Sequence, residues 1–257
     1  MSFVAVSLAL ALLWLAAADT DGPKGAGGQA ADDITWVSVP PGRFLMGCVP
    51  EDRDCHANER PRHEVVITRA YSLMSTEVAI GHFDAFTAAT GTRTPRQPLW
   101  NGSPSHPVVN LTWEEAAAVC AWLGGRLPTE AEWEFGARGR VDGAIFPWGA
   151  PFARRWVNAV GRGTDDPWHY TAPVGSFPPN GLGLFDTSGN VWEWTADGYA
   201  PYQAEAVRDP KGRVRGTRKV IRGGSWDSTA ARVRTSVRHS LPAGARYNLY
   251  VGVRCAR

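Results

Sequence analysis

Apolar residues fall along this chain in three regimes. The first is an almost unbroken run from Phe3 to Ala18, ending in the small residues Ala16-Ala17-Ala18. The second, residues 19–34 (DTDGPKGAGGQAADDI), is rich in Gly and Ala without apolar periodicity and reads as a flexible linker. From there on, short apolar clusters are punctuated by turn residues, and a single domain is expected over 35–257. Three helices are predicted in it. One lies near Thr76 to Thr90, closed by Gly91. A second starts behind Thr112, where Glu115 completes a capping box, and stops at Gly124 and Gly125. A third follows Pro128, with Thr129 as cap, Glu132 at the box position and Gly139 as terminator. β-Branched and aromatic residues mark strands at Trp36–Val39, Arg43–Met46, Glu64–Thr68, Lys219–Arg222 and Tyr250–Arg254.

Composition changes this picture in one respect. With 28 Gly and 19 Pro, much of the backbone is expected to be irregular, so that packing of the 12 Trp, covalent bridges and ions must supply part of the cohesion. A formal charge of +2 with acidic and basic residues interspersed gives no electrostatic footprint for nucleic acid. The leading apolar run has the form of a secretory signal over 1–18, which implies a secreted or periplasmic protein. The competing reading is a membrane anchor, and a membrane becomes a partner only if that segment stays uncleaved. Four cysteines, an even number, suit an oxidising compartment, and Cys48 and Cys55 are close enough in sequence to form a local staple. None of the cysteines has the CxxC spacing of a zinc site.

The chemistry concentrates in GLGLFDTSGNVWEWTAD, Gly181 to Asp197, and in RGGSW, Arg222 to Trp226. Asp186 and Glu193 flank Gly189, a pattern that suits a hard cation held by carboxylates and turned-in carbonyls. Glu193 and Asn190 could instead simply satisfy buried backbone groups around a tight turn, and both readings stay open. The six histidines, His56, His63, His82, His106, His169 and His239, show no i, i+4 metal spacing; His63 and His239 are the ones to follow into the structure.

These segments, with VPPGRFLMG, ERPRHEVVI, HPVVNLTWEEAAAVCAWLGGRLPTEAEWEFGARG, FPWG and VGVRCA in the same order, resemble the sulfatase-modifying-factor family, that of the formylglycine-generating enzyme. The resemblance implies an α+β fold akin to C-type lectins and poor in regular structure. It implies a disulfide between Cys120 and Cys255. It also implies two structural calcium sites, one from the side chains of Asn158 and Asp166 with the carbonyls of Ala159 and Trp168, the other from Asp186, Gly189, Val191 and Glu193. The family's two copper-binding catalytic cysteines fall at Ser228 and Val233, and neither residue can supply a thiolate to a soft copper ion. Three functions follow, in order: an exported family member that makes no formylglycine and binds protein or peptide; an iron- or copper-dependent oxidase of a peptide or small molecule; and a lectin-like ligand-binding domain. A polar groove from Trp226, Asp227, Ser228, Arg234, Arg238 and His239 would serve the first, unless the arginines pair with core carboxylates such as Glu132 or Glu193.

Overall fold

A computed structural model describes residues 34–149, 151–161, 165–212, 216–246 and 249–257. The leader and all but Ile34 of the expected linker lie outside the described residues. Among those described, no helix is long and apolar enough to cross a membrane.

Two of the helices start where their capping boxes place them. Trp113–Trp122 (α2) opens with Glu115 N–H donating to Thr112 Oγ1 at 3.2 Å and Thr112 N–H to Glu115 Oε2 at 2.9 Å. Glu130–Ala137 (α3) repeats the arrangement with Thr129 and Glu132 at 3.1 and 2.8 Å. Each box satisfies two donors that helix geometry leaves open. The first helix, α1, spans only Ile80–Thr90. Its expected first turn is extended instead, because tertiary partners claim its backbone: Val78 donates to Val253 O and accepts from Val108 N–H. Gly91 closes α1 at φ 70°, as expected.

Three small sheets carry the remaining structure. Trp36–Val39 (β1) pairs antiparallel with Tyr71–Met74 (β4). Gly42–Met46 (β2) pairs antiparallel with His63–Ile67 (β3), which runs parallel to the short Val207–Arg208 (β6). The sheet beneath the site has the order β8-β7-β5-β9, from Arg238–Pro242 (β8), Arg218–Arg222 (β7), Trp192–Gly198 (β5) and Val251–Gly252 (β9). The sequence patterns do not expose β4, β5, β6 or β8. In β5, six of seven residues are buried, including Glu193 and Asp197, so no polar face alternates with an apolar one. The expected strand Tyr250–Arg254 shrinks to two residues, since Val253 O and Cys255 O accept instead from Val78 and Met74.

Both disulfides form, Cys48–Cys55 and Cys120–Cys255, and none of the four cysteines is free. The second ties α2 to the chain segment after β9. Trp133 and Trp194 are fully buried, and so are Arg222, Arg234, Arg254 and Glu59, so the interior holds ion pairs as well as apolar side chains.

Candidate functional site

β7 delivers Arg222 into the interior and then turns sharply through Gly223 and Gly224, at φ 99° and 78°. Only a residue without Cβ fits at 224, where one would lie 2.6 Å from Arg232 O. The turn locks to the Asp186–Glu193 segment through Gly189 N–H to Gly223 O and Trp226 N–H to Asn190 O, both 2.9 Å. Ser228 Oγ accepts from Ser225 N–H at 3.0 Å, Ser225 Oγ donates to Asp227 Oδ1 at 2.7 Å, and Ser228 is 3% exposed. Val233 is buried with Phe146, Val157 and Ala159. The two positions of interest thus end as a hydrogen-bonded hydroxyl and a core methyl cluster.

Trp226 leaves this turn toward an aromatic cluster. Trp100 stacks on Tyr170 with centroids 4.5 Å apart, and Trp226 meets both edge-on at 5.5 and 5.1 Å. Its indole N–H has no protein partner among the described residues. Leu99, next to Trp100, is 99% exposed, and Trp168 is exposed beside the half-buried His106. Asp227 is exposed at the edge of this face.

Arg234 and Arg238 do not line a groove with these residues. Arg234 Nη1 donates to Asp52 at 2.5 Å and to Glu59 Oε2 at 2.8 Å, while Nη2 donates to Glu59 Oε1 at 2.8 Å. Arg238 holds Glu130 through Nε and Nη2, both at 2.7 Å, with its guanidinium 3.9 Å from the Tyr202 ring centroid. Planar forks in a buried setting find planar carboxylates, which is why both turn inward. The pairing reading therefore holds, with different partners: Glu132 binds Arg126, Glu193 binds Arg254, and Arg222 binds Glu134 at 2.5 Å. His239 lies at the surface on β8, 6.1 Å from the Trp192 ring; partial desolvation against its neighbours, then Arg232 and Arg218, lower its pKa. His63 Nδ1 faces Pro61 O at 3.1 Å, and its ring lies edge-on to Tyr202.

Of the predicted calcium residues, Asp166 is fully buried with backbone N–H groups of Ala159 and Trp168 on its oxygens at 3.3 and 3.2 Å; burial raises its pKa. Asn158 donates to Tyr170 O at 2.8 Å, and its own carbonyl accepts from Asn190 N–H. Asp186 accepts from Gly175 N–H at 2.6 Å. Gly189, at φ 78°, lies against Asn158 O, and Val191 is fully buried. Both oxygens of Glu193 are already engaged by Arg254 and by Trp133 Nε1–H at 2.6 Å. Sequence reasoning missed a third carboxylate here. Glu77 is fully buried, accepts from Asn190 Nδ2 at 3.0 Å through Oε1, and has no hydrogen-bond partner on Oε2 among the described residues. Burial and the repulsion of Asp186 push its pKa well up. Glu77 lies in the stretch read as helix, where a lone acidic residue signals nothing.

One further donor set, Asp52, Cys55 and Glu59, brings its ligand atoms within 4.8 Å of one another, but Cys55 is in a disulfide and the carboxylates already share the Arg234 guanidinium.

With this geometry, residues 26–257 match the family model of the sulfatase-modifying factor enzyme 1-like domain. The chain is 34% identical over 279 aligned positions to the formylglycine-generating enzyme of Streptomyces coelicolor, covering 86% of this chain and 88% of the relative. It is also 34% identical to the inactive C-alpha-formylglycine-generating enzyme 2 of Mus musculus, over 88% of this chain and 86% of that one. Among solved structures, PvdO from Pseudomonas aeruginosa superposes with a TM-score of 0.72 at 29% identity, covering 86% of this chain and 93% of PvdO. The α+β fold is shared with PvdO, and the chain belongs to the sulfatase-modifying factor enzyme 1-like family.

Proposed function

We propose that this protein is an exported member of its family that makes no formylglycine and acts by binding a protein or peptide on the face formed by Trp100, Tyr170 and Trp226. The observation that carries this reading is the pair Ser228 and Val233. Where the family resemblance calls for copper-binding thiolates, this chain has a buried hydroxyl spent on Ser225 and a fully buried Val. All four cysteines are in disulfides, so none supplies a thiolate from elsewhere, and two bridges accord with an oxidising compartment. The existence of an inactive relative of the same length class is consistent with the loss of activity. Support for binding comes from the surface. Clustered, partly exposed aromatics beside the exposed Leu99 and Trp168 are the features of a peptide-contacting face.

Calcium belongs to this proposal as a structural ion. Among the described residues, Glu77, Asp186 and Glu193 surround one buried cation, Arg254, whose pKa they raise, and Glu77 Oε2 has no hydrogen-bond partner. Three buried carboxyl groups around one guanidinium suit a divalent ion at Asp186, which would draw off their protons, with Glu77 as an added donor and Glu193 retained by Arg254. Asp166, desolvated and held by the backbone N–H groups of Ala159 and Trp168, fits the other site.

The test incubates the purified protein with a CxPxR peptide, oxygen and copper and looks by mass spectrometry for the aldehyde. No product above a no-enzyme control is expected, and turnover would overturn the assignment.

A further inference from the structure

Beside the aromatic face a chain of hydrogen bonds ends on His106, and its far end fixes the direction of every bond in it. Gln97 is clamped to backbone: Nε2 donates to Pro95 O and Val109 O at 3.1 and 2.8 Å, and Oε1 accepts from Val109 N–H at 3.0 Å. Gln97 Oε1 therefore faces Asn101 as an acceptor, and Asn101 Nδ2 donates to it at 3.3 Å and to Pro107 O at 2.9 Å. Flipping the Asn101 amide would set its oxygen against both of those acceptors, so its orientation is settled by the network. Asn101 Oδ1 is left to accept, and it takes the Thr171 hydroxyl proton at 2.7 Å. Both Asn101 and Thr171 are buried.

A hydroxyl has one hydrogen to give. Thr171 spends it on Asn101, so its oxygen accepts from the ring nitrogen 2.9 Å away, His106 Nδ1. The neutral ring of His106 thus carries its proton on Nδ1 and keeps a lone pair on Nε2. The backbone of the residue is anchored as well: His106 N–H donates to Ser103 O at 3.0 Å, and His106 O accepts from Ile80 N–H at 2.8 Å. The half-buried ring meets the exposed Trp168 edge-on at 5.7 Å, and Nε2 has no hydrogen-bond partner among the described residues. Burial lowers its pKa.

We propose that His106 is a specificity-determining residue of the aromatic face, its Nε2 preset as an acceptor so that the face selects tyrosine or tryptophan over phenylalanine in a bound peptide. This rests on the peptide-binding reading of that face. An exposed indole beside a fixed lone pair offers one apolar and one accepting surface, and a ring with a polar hydrogen matches both. A ring without that hydrogen leaves the acceptor unpaired, which is what discriminates against it. Gln97, Asn101 and Thr171 act through His106 and are positioning residues.

The test follows the imidazole nitrogens of His106 by NMR on the full chain at about pH 8, where the ring is neutral. Wild type should show Nδ1 protonated and Nε2 bare. The probes are N-acetyl-tyrosinamide and N-acetyl-phenylalaninamide, titrated while the Trp168 indole signal is followed. The tyrosine probe should bind tighter by about threefold or more, and His106→Phe should abolish the difference. Thr171→Val, which removes the acceptor of Nδ1–H, should move the proton toward Nε2 and shrink the preference. If Thr171→Val does not fold, the wild-type tautomer and His106→Phe carry the test. A proton on Nε2 in wild type, a proton that stays on Nδ1 in folded Thr171→Val, or equal affinity for the two probes would overturn this inference and leave the face as a binding surface. Binding of neither probe would count against the face itself and overturn this inference with it.

Discussion

Arg234 offers the sharpest test of the ionic interior. It joins the segment after the RGGSW turn to the Cys48–Cys55 loop, donating to Asp52, to both oxygens of Glu59, and to the carbonyls of Asp54 and Ala231. Arg234→Met keeps most of the volume and removes the charge. Glu59, fully buried, is then left with only His56 N–H at 3.0 Å and Ser236 Oγ at 2.7 Å. Removing one partner of a buried pair costs about 3–5 kcal/mol, because the survivor is an uncompensated charge. For a domain of this size each kcal/mol moves the melting temperature by about 3 °C, so a fall of roughly 10 °C or more is expected. The sign of the pH dependence is a second constraint. Burial raises the Glu59 pKa in the folded protein, but Arg234 and the other hydrogen bonds outweigh it and hold the pKa below the ordinary glutamate value. Glu59 therefore stabilises the native protein above that value, and the contribution is lost as pH falls through the lowered pKa. In Arg234→Met the burial effect stands without its main opponent. The folded pKa moves up, protonated Glu59 is favoured, and the variant regains stability as pH falls from neutrality. Urea denaturation followed by circular dichroism at pH 7.5 and 4.5 measures both quantities. The gap between wild type and variant should be widest at pH 7.5 and narrow at 4.5, and adding Glu59→Gln should recover part of the loss at pH 7.5. A loss under about 1 kcal/mol, or a gap that does not narrow in acid, would refute the reasoning.

Three further outcomes follow from the same structure. Free calcium at about 100 times its dissociation constant should add about 2.7 kcal/mol and raise the melting temperature of ion-free protein, with chelator reversing the rise and Asp186→Ala blunting it; an unchanged curve would leave the carboxylates as turn-forming groups only. Non-reduced peptide mapping should find Cys48–Cys55 and Cys120–Cys255. On the chain-entropy argument, removing the second bridge, with its separation of 135 residues, should cost about 5 kcal/mol in denaturant titrations, against about 2 kcal/mol for the first with its separation of 7; the reverse order would count against that argument. Gly189→Ala would place a Cβ 2.1 Å from Asn158 O and should cost about 3 kcal/mol or more. Gly91→Ala, at a similar positive φ with nothing within 4 Å, should cost only about 1–2 kcal/mol, and equal losses would mean that backbone strain and not the contact dominates.

The sequence by itself determined the features that depend on a few neighbouring residues. The capping boxes at Thr112/Glu115 and Thr129/Glu132 reach three residues, and Gly91 stops α1 through its own backbone, so each is legible without tertiary context. The Cys48–Cys55 staple is local in the same sense, and Ser228 and Val233 are read directly once the motif order is known. Tertiary structure decided the rest. Thr76 to Ala79 has no local reason to avoid helix; it is extended because Val78 is hydrogen-bonded to residues 108 and 253. β5 is a strand although its buried Glu193 and Asp197 break every alternation rule, since Arg254 and the N–H groups of Glu130 and Gly212 make those charges tolerable. Arg234 finds Glu59 across 175 residues and Arg238 finds Glu130 across 108. An ion pair's direction is set by which carboxylate the folded backbone brings within reach, and burial makes that choice costly to reverse. For the same reason the placing of Glu77 beside Asp186 and Glu193 is decided only by folding, which brings them together from distant parts of the chain.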